Sequence, residues 1–536
     1  MSIERDFSEI INSYDFIPNK QMIIESINKP KDIYFRVNVI KDSEEKILKA
    51  LKKYNIDYSK VDFIDGYYKL NFNKNQLIEL SKTIEHLFGF IYIQEISSAI
   101  SIDTLFKTIY GKIADNDGLI IVDLCASPGG KSILIADRLY RNNKRLFKNL
   151  VLISNDIGRR IENLLTNINR LGLLNVIVTN CDARFFPKLN KNIDIVIADV
   201  PCSSESHIVD KMYYSYKKHP KFINRITNIQ KDILLRAYSI SNNYVIYSTC
   251  TFNLQENEEI VNNLLFKTKN VNILKPVLSK INFEKGVVKY NEITFYKELE
   301  NSVRIYPYHY NSGGIFFSIL SKSEPYEILN NTISFANLID IKELNEFFIV
   351  NNKVIFDNYL SHFGIDFNNV NDYVFFQKVK DKKNDNLTDL LKEDIYITLL
   401  KSYLRKEKGP LRVEAFGIKA FRYVKPINSF KITSNLLSIF SKYIIKNYVS
   451  LKFDLNLLID FLLRKKIELK SEYFEDINIG NYPYVAVKFN DLVIGCALNY
   501  KDYIISEIPT SKANFLISAL SKKSDAFPYY IANNFI

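Results

Sequence analysis

The chain has 536 residues, of which 47% are apolar and 25% charged, and its 72 Lys and Arg against 60 Asp and Glu give a net charge of +12. This length predicts several folded domains, and the composition excludes an intrinsically disordered chain. The cysteines form no CxxC pair and no Cys/His cluster, which argues against a disulfide framework and against a metal site. They stand at Cys125, Cys181, Cys202, Cys250 and Cys496.

The first residues, MSIERDFSEI, carry early acidic residues and no apolar core of signal-peptide length. Charges interrupt every apolar stretch well before the ~18 residues that a transmembrane helix needs. We therefore expect a cytoplasmic protein with reduced thiols and no membrane association.

Residues 1–115 combine amphipathic helical stretches, such as 43–53, with short strand-like runs, such as 33–40. We interpret this part as an N-terminal α+β accessory domain.

From Leu119 the pattern changes to short, almost continuous apolar runs that alternate with helical segments, at 119–125, 150–156, 176–180, 193–200 and 244–250. Continuous apolar strands are typical of a parallel sheet that is buried on both faces. We predict a Rossmann-like, doubly wound α/β domain over 116–322, closed by strands near 303–305 and 315–320. A connecting region follows at 323–400, with a lysine-rich linker at 378–389. The C-terminal region, 401–536, contains a strand cluster at 484–498.

A glycine-rich turn, VDLCASPGGKS at 122–132, lies where the first buried strand passes into a helix. Gly129 and Gly130 allow a ligand to approach the backbone closely, and the helix N-terminus supplies unpaired N–H donors. Acids follow the next three strands, at Asp156, Asp182 and Asp199. Each acid alone is equally typical of a helix cap, but together they mark the rim where α/β sheets bind ligands. The turn lacks GxxxxGK[ST], which disfavours a P-loop NTPase.

Two cysteines stand at the same predicted rim, Cys202 after the fourth strand in ADVPCSS and Cys250 after the fifth in YSTCT. Methylation at carbon-5 of cytosine needs a thiolate that adds to carbon-6 and an acid that protonates ring nitrogen 3. Asp199 is the candidate acid. Either cysteine can be the nucleophile on this reasoning, while the other assists release. Cys181 and Cys496 are interpreted as inert buried residues.

These motifs, in this order, resemble the Nop/Sun (Fmu-type) family of S-adenosylmethionine-dependent RNA 5-methylcytosine methyltransferases. The segments FRVN (35–38), YIQEISSA (92–99) and RIYPYHYNSGGIFFSIL (304–320) resemble further parts of the family. The resemblance implies that Cys250 is the nucleophile and that Cys202 promotes product release. It also implies that the cofactor S-adenosylmethionine is bound by Cys125, Ala126, Ser127, Pro128, Gly129, Gly130, Lys131, Asp156, Asp182 and Asp199.

Toward the C-terminus, YLRKE (403–407), LRVEAFGIKAF (411–421) and residues 480–498 resemble bacterial RsmF-like enzymes, which act on small-subunit ribosomal RNA and end in a PUA-like RNA-binding domain. The expected partner is therefore RNA, namely small-subunit ribosomal RNA or an assembling subunit, and the expected state is a monomer. The candidate basic elements for RNA are Lys217, Lys218, Lys221 and Arg225, and Arg464, Lys465 and Lys466.

The chain departs from the family pattern in three places, one of which is the C-terminal tail past Asn499. SSES (203–206) stands where the family has SGEG, and SNNY (241–244) replaces a Pro-Gly-Gly turn. Three alternatives follow: a tRNA cytosine-C5 methyltransferase, a DNA cytosine-C5 methyltransferase, and an RNA-binding ribosome-assembly factor of the same fold that has lost turnover. The second cysteine motif and the accessory domains argue against DNA, and the joint retention of Asp199, Cys202 and Cys250 argues against lost turnover.

Overall fold

The computed structural model describes residues 3–27, 29–207, 220–268, 270–323, 337–343, 346–378, 392–405 and 411–521. The predicted basic residues Lys217 and Lys218, and the predicted linker from residue 379 onward, lie outside these ranges. Within them, no helix combines the length and apolar character that crossing a bilayer requires.

The N-terminal part is built around a small antiparallel sheet with the strand order β2-β3-β1-β4. Ser43 caps one of its helices, since its side chain accepts the backbone N–H of Lys46, and acids in the first turn complement the helix dipole. The strands are β1 (Tyr34–Val37), β2 (Asp57–Lys60), β3 (Tyr67–Asn71) and β4 (Ile91–Ile93). The helices are Ile3–Ser13, Lys20–Ile27, Glu44–Lys52, Ile84–Leu87 and Ile96–Ile113.

The central sheet confirms the predicted doubly wound α/β architecture. Its parallel strands are β5 (Leu119–Asp123), β6 (Leu150–Asp156), β7 (Val176–Asn180), β8 (Ile193–Asp199) and β9 (Ser241–Thr249), in the spatial order β7-β6-β5-β8-β9. The strand order reverses between β5 and β8, which is where open α/β sheets form their ligand crevice. The associated helices are Gly130–Asn142, Lys144–Lys148, Arg160–Leu171, Pro220–Ile240 and Glu258–Lys267.

Antiparallel strands extend the sheet beyond β9. β15 (Ile315–Lys322) pairs with β9, β14 (Val303–Ile305) with β15, and β11 (Glu284–Lys285) with β14. The strand β10 (Val271–Ile273) pairs with the far end of β15. A small hairpin, β12 (Lys289–Tyr290) with β13 (Ile293–Thr294), and the short helix Pro307–Tyr310 complete this part.

The C-terminal part contains two further sheets and supplies one strand to the central sheet. β21 (Arg412–Phe416) pairs antiparallel with β7, so the edge of the central sheet is built from both parts of the chain. The five-stranded sheet has the order β17 (Phe347–Val350), β18 (Val374–Lys378), β19 (Ile395–Thr398), β22 (Ile418–Val424), β23 (Ser429–Ile432). A two-stranded ladder joins β16 (Asn337–Asp340) to β20 (Ser402–Arg405).

The last sheet has six strands in the order β25-β29-β28-β27-β24-β26. Its strands are β24 (Tyr448–Leu451), β25 (Ile467–Glu468), β26 (Phe474–Asn478), β27 (Tyr484–Phe489), β28 (Leu492–Asn499) and β29 (Tyr503–Ser506). The C-terminal helices are Asn352–Ile355, Ser434–Ile439, Leu455–Leu462 and Thr510–Ser521, with a π-helical turn at Phe356–Leu360.

Lys41 connects the three parts of the chain. Its buried ammonium donates to the carbonyl oxygens of Phe88 and Arg170, each at 2.7 Å, and to the Ser438 hydroxyl at 3.0 Å. These partners belong to the N-terminal part, the central domain and the C-terminal part. A buried cation with three acceptors has its hydrogen-bonding capacity met, so it favours one arrangement of the parts.

Candidate active site

The glycine-rich turn has the backbone geometry that the sequence predicts. Gly129 has φ +109° and precedes the helix Gly130–Asn142. A Cβ on Gly129 would come within 3.1 Å of Leu164 Cδ1, and one on Gly130 within 3.3 Å of Gln94 Nε2. Both positions therefore favour glycine, the first for conformation and both for space. The helix begins with its N–H donors at the rim of the sheet.

Asp156 ends β6 and holds the turn in place. One of its carboxylate oxygens accepts the backbone N–H of Ser127 at 2.8 Å, and the other accepts that of Ile157 at 2.8 Å. Arg160 Nε lies 3.1 Å from the same carboxylate. Burial raises the pKa of Asp156, although Arg160 opposes this shift. The neighbouring Ile157 is 50% exposed, a feature that sequence reasoning missed. An exposed apolar side chain beside a strand-end acid can pack against the flat face of an aromatic ring in a ligand.

Asp182 combines a rim position with a capping role. It caps the turn Ala183–Phe185 by accepting the Arg184 N–H at 3.0 Å, and it pairs with the Arg184 guanidinium at 2.6 Å. The hydrogen bonds from Arg184 hold the pKa of Asp182 below its ordinary value. The position of Asp182 is thus compatible with both interpretations made from the sequence, namely a cap of the following turn and a ligand-binding acid at the rim.

Asp199 ends β8 and lies in a polar chain that crosses the site. Its carboxylate accepts from Lys131 Nζ at 2.5 Å and from the Ser248 hydroxyl at 2.6 Å. The Lys131 ammonium also donates to the Ser98 hydroxyl at 3.0 Å. Burial alone would lower the pKa of Lys131, but Asp199, and to a lesser extent Asp123 and Cys250, raise it. Lys131 therefore stays protonated between the glycine-rich turn and the cysteines.

The structure brings the two predicted cysteines into contact. Cys202 Sγ and Cys250 Sγ are 3.3 Å apart, and both side chains are half-buried. The Ser204 hydroxyl lies 3.5 Å from Cys250 Sγ. The hydrogen bond with Cys250 and then burial raise the pKa of Cys202 well above its ordinary value. Either sulfur can be the donor in this contact, so both cysteines stay candidates for the thiolate.

A buried polar network supports the two cysteine loops from behind. Glu256 accepts the Ser203 N–H at 2.9 Å, the Gln230 amide at 2.9 Å and the Asn253 amide at 2.7 Å. Burial, and then the neighbouring Glu205, raise the pKa of Glu256. Because Ser203 and Asn253 follow different cysteines, the network fixes one loop against the other.

Ser204 has a left-handed backbone conformation, with φ +57°. It stands at the first of the two positions where the related motif has glycine. The chain thus keeps the left-handed backbone conformation with serine in place of glycine. The local strain costs roughly 1–2 kcal/mol.

Asp123 is a further residue of the site that was missed from the sequence. Asp123 ends β5 and is fully buried; its Oδ2 accepts from the Ser132 hydroxyl at 2.7 Å. Its Oδ1, like the buried Gln94 Nε2, has no hydrogen-bond partner among the described residues. Burial raises the pKa of Asp123 to about 7. The signal for Asp123 was present, because it ends a buried strand just before the glycine-rich turn.

The other predicted residues lie as follows. Cys181 and Cys496 are buried, which agrees with the inert interpretation, and burial raises the pKa of Cys125. Lys221 and Arg225 are exposed on the helix Pro220–Ile240. The three residues of the predicted C-terminal basic cluster contact three different partners. Arg464 donates to the Ile508 carbonyl oxygen, Lys465 forms an ion pair with Asp460, and Lys466 lies over the Tyr503 ring.

Residues 112–321 match the family model described as 16S rRNA methyltransferase RsmB/F, which confirms the resemblance over that segment. The chain is 28% identical over 325 residues to a human 28S rRNA (cytosine(4447)-C(5))-methyltransferase, and this match covers 58% of the chain and 37% of that protein. It is 27% identical over 306 residues to the ribosomal RNA small subunit methyltransferase F of Aliivibrio fischeri, covering 56% of the chain and 60% of that protein. It therefore spans less than two thirds of these relatives.

Among solved structures, a methyltransferase homolog from Pyrococcus horikoshii is 25% identical, with a TM-score of 0.46 over 56% of this chain and 90% of that one. NSun6 from Pyrococcus horikoshii, solved with SFG, is 19% identical, with a TM-score of 0.47 over 59% of this chain and 98% of that one.

Proposed function

We propose that this chain is an S-adenosylmethionine-dependent RNA methyltransferase that modifies carbon-5 of cytosine, with small-subunit ribosomal RNA as its substrate. The observation that carries the proposal is the 3.3 Å contact between Cys202 and Cys250 beside the Lys131–Asp199 pair, at the rim of a doubly wound sheet. The names of the matched relatives support this reaction and a ribosomal RNA target.

The turn at 125–131 fits S-adenosylmethionine. The cofactor has an amino-acid end, a ribose and an adenine. Asp123 Oδ1 is a buried acceptor without a partner among the described residues, which suits an ammonium group. Asp156 and Asp182 stand at the ends of the next two strands, where ribose and base contacts fall in this fold, and Ile157 offers an apolar face. When bound, the cofactor supplies an electrophilic methyl group.

The cysteine pair supplies the nucleophile. We assign the attack on carbon-6 to Cys250, as the resemblance of the motif YSTCT implies, and the release step to Cys202, whose sulfur lies 3.3 Å away. Once Cys250 is bonded to the base, its negative charge is gone and Cys202 can lose its proton more easily. Cys202 then accepts the proton from carbon-5, and the bond between Cys250 and carbon-6 breaks to release the product.

Asp199 and Lys131 act on the opposite side of the base. The attack on carbon-6 pushes an electron pair toward ring nitrogen 3, which must gain a proton for carbon-5 to become nucleophilic. Asp199 passes a proton from the Lys131 ammonium, 2.5 Å away, to ring nitrogen 3, and the proton returns by the same path when the bond between Cys250 and carbon-6 breaks. Ser248 and Ser98 hold the pair in position through hydrogen bonds of 2.6 and 3.0 Å.

RNA must present the cytosine unstacked, because carbon-5 and carbon-6 are inaccessible inside a helix. The net charge of +12 supports binding to phosphates. We further propose that residues 1–115 and the C-terminal region from 401 on, including a PUA-like part, bind RNA, and that the protein acts as a cytoplasmic monomer.

The direct test incubates the full chain with labelled S-adenosylmethionine and undermodified small-subunit ribosomal RNA, with tRNA and DNA as competing substrates. We expect 5-methylcytosine in the ribosomal RNA at one position, mapped by bisulfite sequencing. Methyl transfer to tRNA or DNA alone would reassign the substrate. Cofactor binding without transfer to any nucleic acid would contradict the enzymatic function.

A further inference from the structure

Two N-terminal helices pack behind the cysteine loops. The helices Ile3–Ser13 and Lys20–Ile27 contribute Ile11 and Ile23, and the turn between them contributes Ile17, to an apolar cluster that also contains Phe252 and Tyr306. Phe252 stands two residues after Cys250. The first residues of the chain therefore rest directly on the segment that carries the candidate nucleophile, although they lie outside the segment that matches the family model.

Glu205 joins the two cysteine loops. It follows Cys202 by three residues and is 4% exposed. Its Oε2 accepts the backbone N–H groups of Phe252 at 2.6 Å and Asn253 at 3.0 Å. One loop thereby provides the acceptor and the other provides the donors. A second link runs beside it, from the Ser206 N–H to the Cys250 carbonyl at 3.1 Å.

Tyr14 holds the other oxygen of the same carboxylate. Its hydroxyl donates to Glu205 Oε1 at 2.7 Å, and the Asn253 amide approaches that oxygen at 3.4 Å. Among the described residues, no Lys or Arg forms an ion pair with Glu205. A buried carboxylate without a cation depends on its hydrogen-bond donors to stay in place, so the Tyr14 hydroxyl contributes to its orientation.

We propose that Tyr14 is a positioning residue for the cysteine pair. Acting through Glu205, it fixes the loop of Cys202 against the loop of Cys250 and so holds the two sulfurs in contact. Its role in turnover rests on the proposed function, but its effect on the sulfur contact does not. The N-terminal helices are on this view part of the catalytic apparatus and not only an RNA-binding accessory.

The test compares Tyr14→Phe with Tyr308→Phe in the full chain. Tyr308 packs in the same aromatic cluster and reaches Glu284 at 3.5 Å, not Glu205, so it is a matched control for the loss of one hydroxyl. Diamide withdraws two electrons and two protons from a pair of neighbouring thiols and leaves a disulfide. Its rate of forming the Cys202–Cys250 disulfide, followed by mass spectrometry of the linked peptides, reports the sulfur contact without any RNA.

We expect Tyr14→Phe to slow this disulfide formation about tenfold, the size of effect that losing one charge-assisted hydrogen bond produces, with Tyr308→Phe unchanged. On RNA, Tyr14→Phe should lower kcat by a similar factor and leave the KM for S-adenosylmethionine unchanged. Equal disulfide rates in Tyr14→Phe and the unaltered protein would overturn the inference. Inactivity of the unaltered protein on RNA would contradict the proposed function alone, because the thiol measurement still decides the positioning role.

A double-mutant cycle with Glu205→Gln distinguishes positioning from general destabilisation. If Tyr14 acts through Glu205, the Tyr14 substitution should have much less effect on the disulfide rate in the Glu205→Gln background than in the unaltered chain. Additive effects of the two substitutions would overturn the proposed route through Glu205, whatever the melting temperatures of the variants.

Discussion

Lys131 joins the glycine-rich turn to the end of the site that carries the two cysteines. It belongs to the first turn of the helix Gly130–Asn142, yet its ammonium reaches Asp199 at the end of β8. The sequence predicted both residues as cofactor contacts, and Asp199 also as the acid, but it did not predict their pairing. That pairing depends on β5 and β8 being neighbours, which follows from the sheet order and not from the spacing of the motifs.

At the residue scale, Asp123 makes a testable contribution to the pH dependence of stability. Burial raises its pKa from 3.8 to about 7. The folded chain therefore binds this proton more tightly than the unfolded chain, so the stabilisation is present below pH 3.8 and is lost as the pH rises to about 7. In Asp123→Asn, the free energy of unfolding should therefore fall less steeply with rising pH than in the unaltered chain. The difference in slope is up to about 1.4 kcal/mol per pH unit, measured by urea unfolding.

The exposed Asp117 provides the control for this experiment. Asp117→Asn should leave the pH dependence of the free energy of unfolding as it is in the unaltered chain. If Asp123→Asn and Asp117→Asn gave the same slope, the buried carboxyl would not be the group that titrates.

At the scale of elements, the local signals predicted several strands and helices of the N-terminal part and the central domain closely. The predicted helix at 43–53 is Glu44–Lys52, and the predicted strand near 303–305 is Val303–Ile305. The addition of Arg412–Phe416 to the edge of the sheet was not predicted. Its partner β7 lies more than 200 residues earlier, and a five-residue strand carries no sequence signal that specifies so distant a partner.

Phe416 anchors this added strand and permits a second test. Its side chain is 5% exposed, with its ring centroid 4.9 Å from that of Phe376 and 5.1 Å from that of Tyr403. Phe416→Ala should lower the free energy of unfolding by about 3–5 kcal/mol and increase proteolysis within the C-terminal part. Phe266, which is 76% exposed, is the matched control, and Phe266→Ala should change neither quantity. Equal effects of the two substitutions would show that the strand is not anchored by this contact.

At the scale of the whole molecule, the site draws on residues from distant parts of the sequence. Ser98 and Tyr14 come from the N-terminal part, Lys131 and Asp199 from the central domain, and Glu414 of the C-terminal part accepts from Asn180 near the rim. The glycine-rich turn, the strand-end acids and the cysteines were predictable because each follows a recognisable strand. Ser98 lies in the segment 92–99 that resembles the family, but its contact with Lys131 was not predicted, nor was that of Tyr14 with Glu205, since these contacts span 33 and 191 residues.

The adjacency of the two cysteines was predictable at this scale, and the 3.3 Å separation of their sulfurs confirms it. Both residues follow neighbouring parallel strands, β8 and β9, whose register brings the strand ends together. The roles of the two cysteines stay a proposal. They depend on which sulfur is the thiolate, and the assignment to Cys250 follows from the resemblance of its motif, YSTCT, to the family.

The most direct test of the account compares Cys250→Ala with Cys202→Ala in the presence of S-adenosylmethionine and the substrate RNA. Covalent protein–RNA adducts are separated on denaturing gels and identified by mass spectrometry. We expect Cys202→Ala to accumulate an adduct through Cys250, because attack proceeds and release fails, and Cys250→Ala to form none. An adduct that accumulates in Cys250→Ala and not in Cys202→Ala would contradict the assignment of the nucleophile.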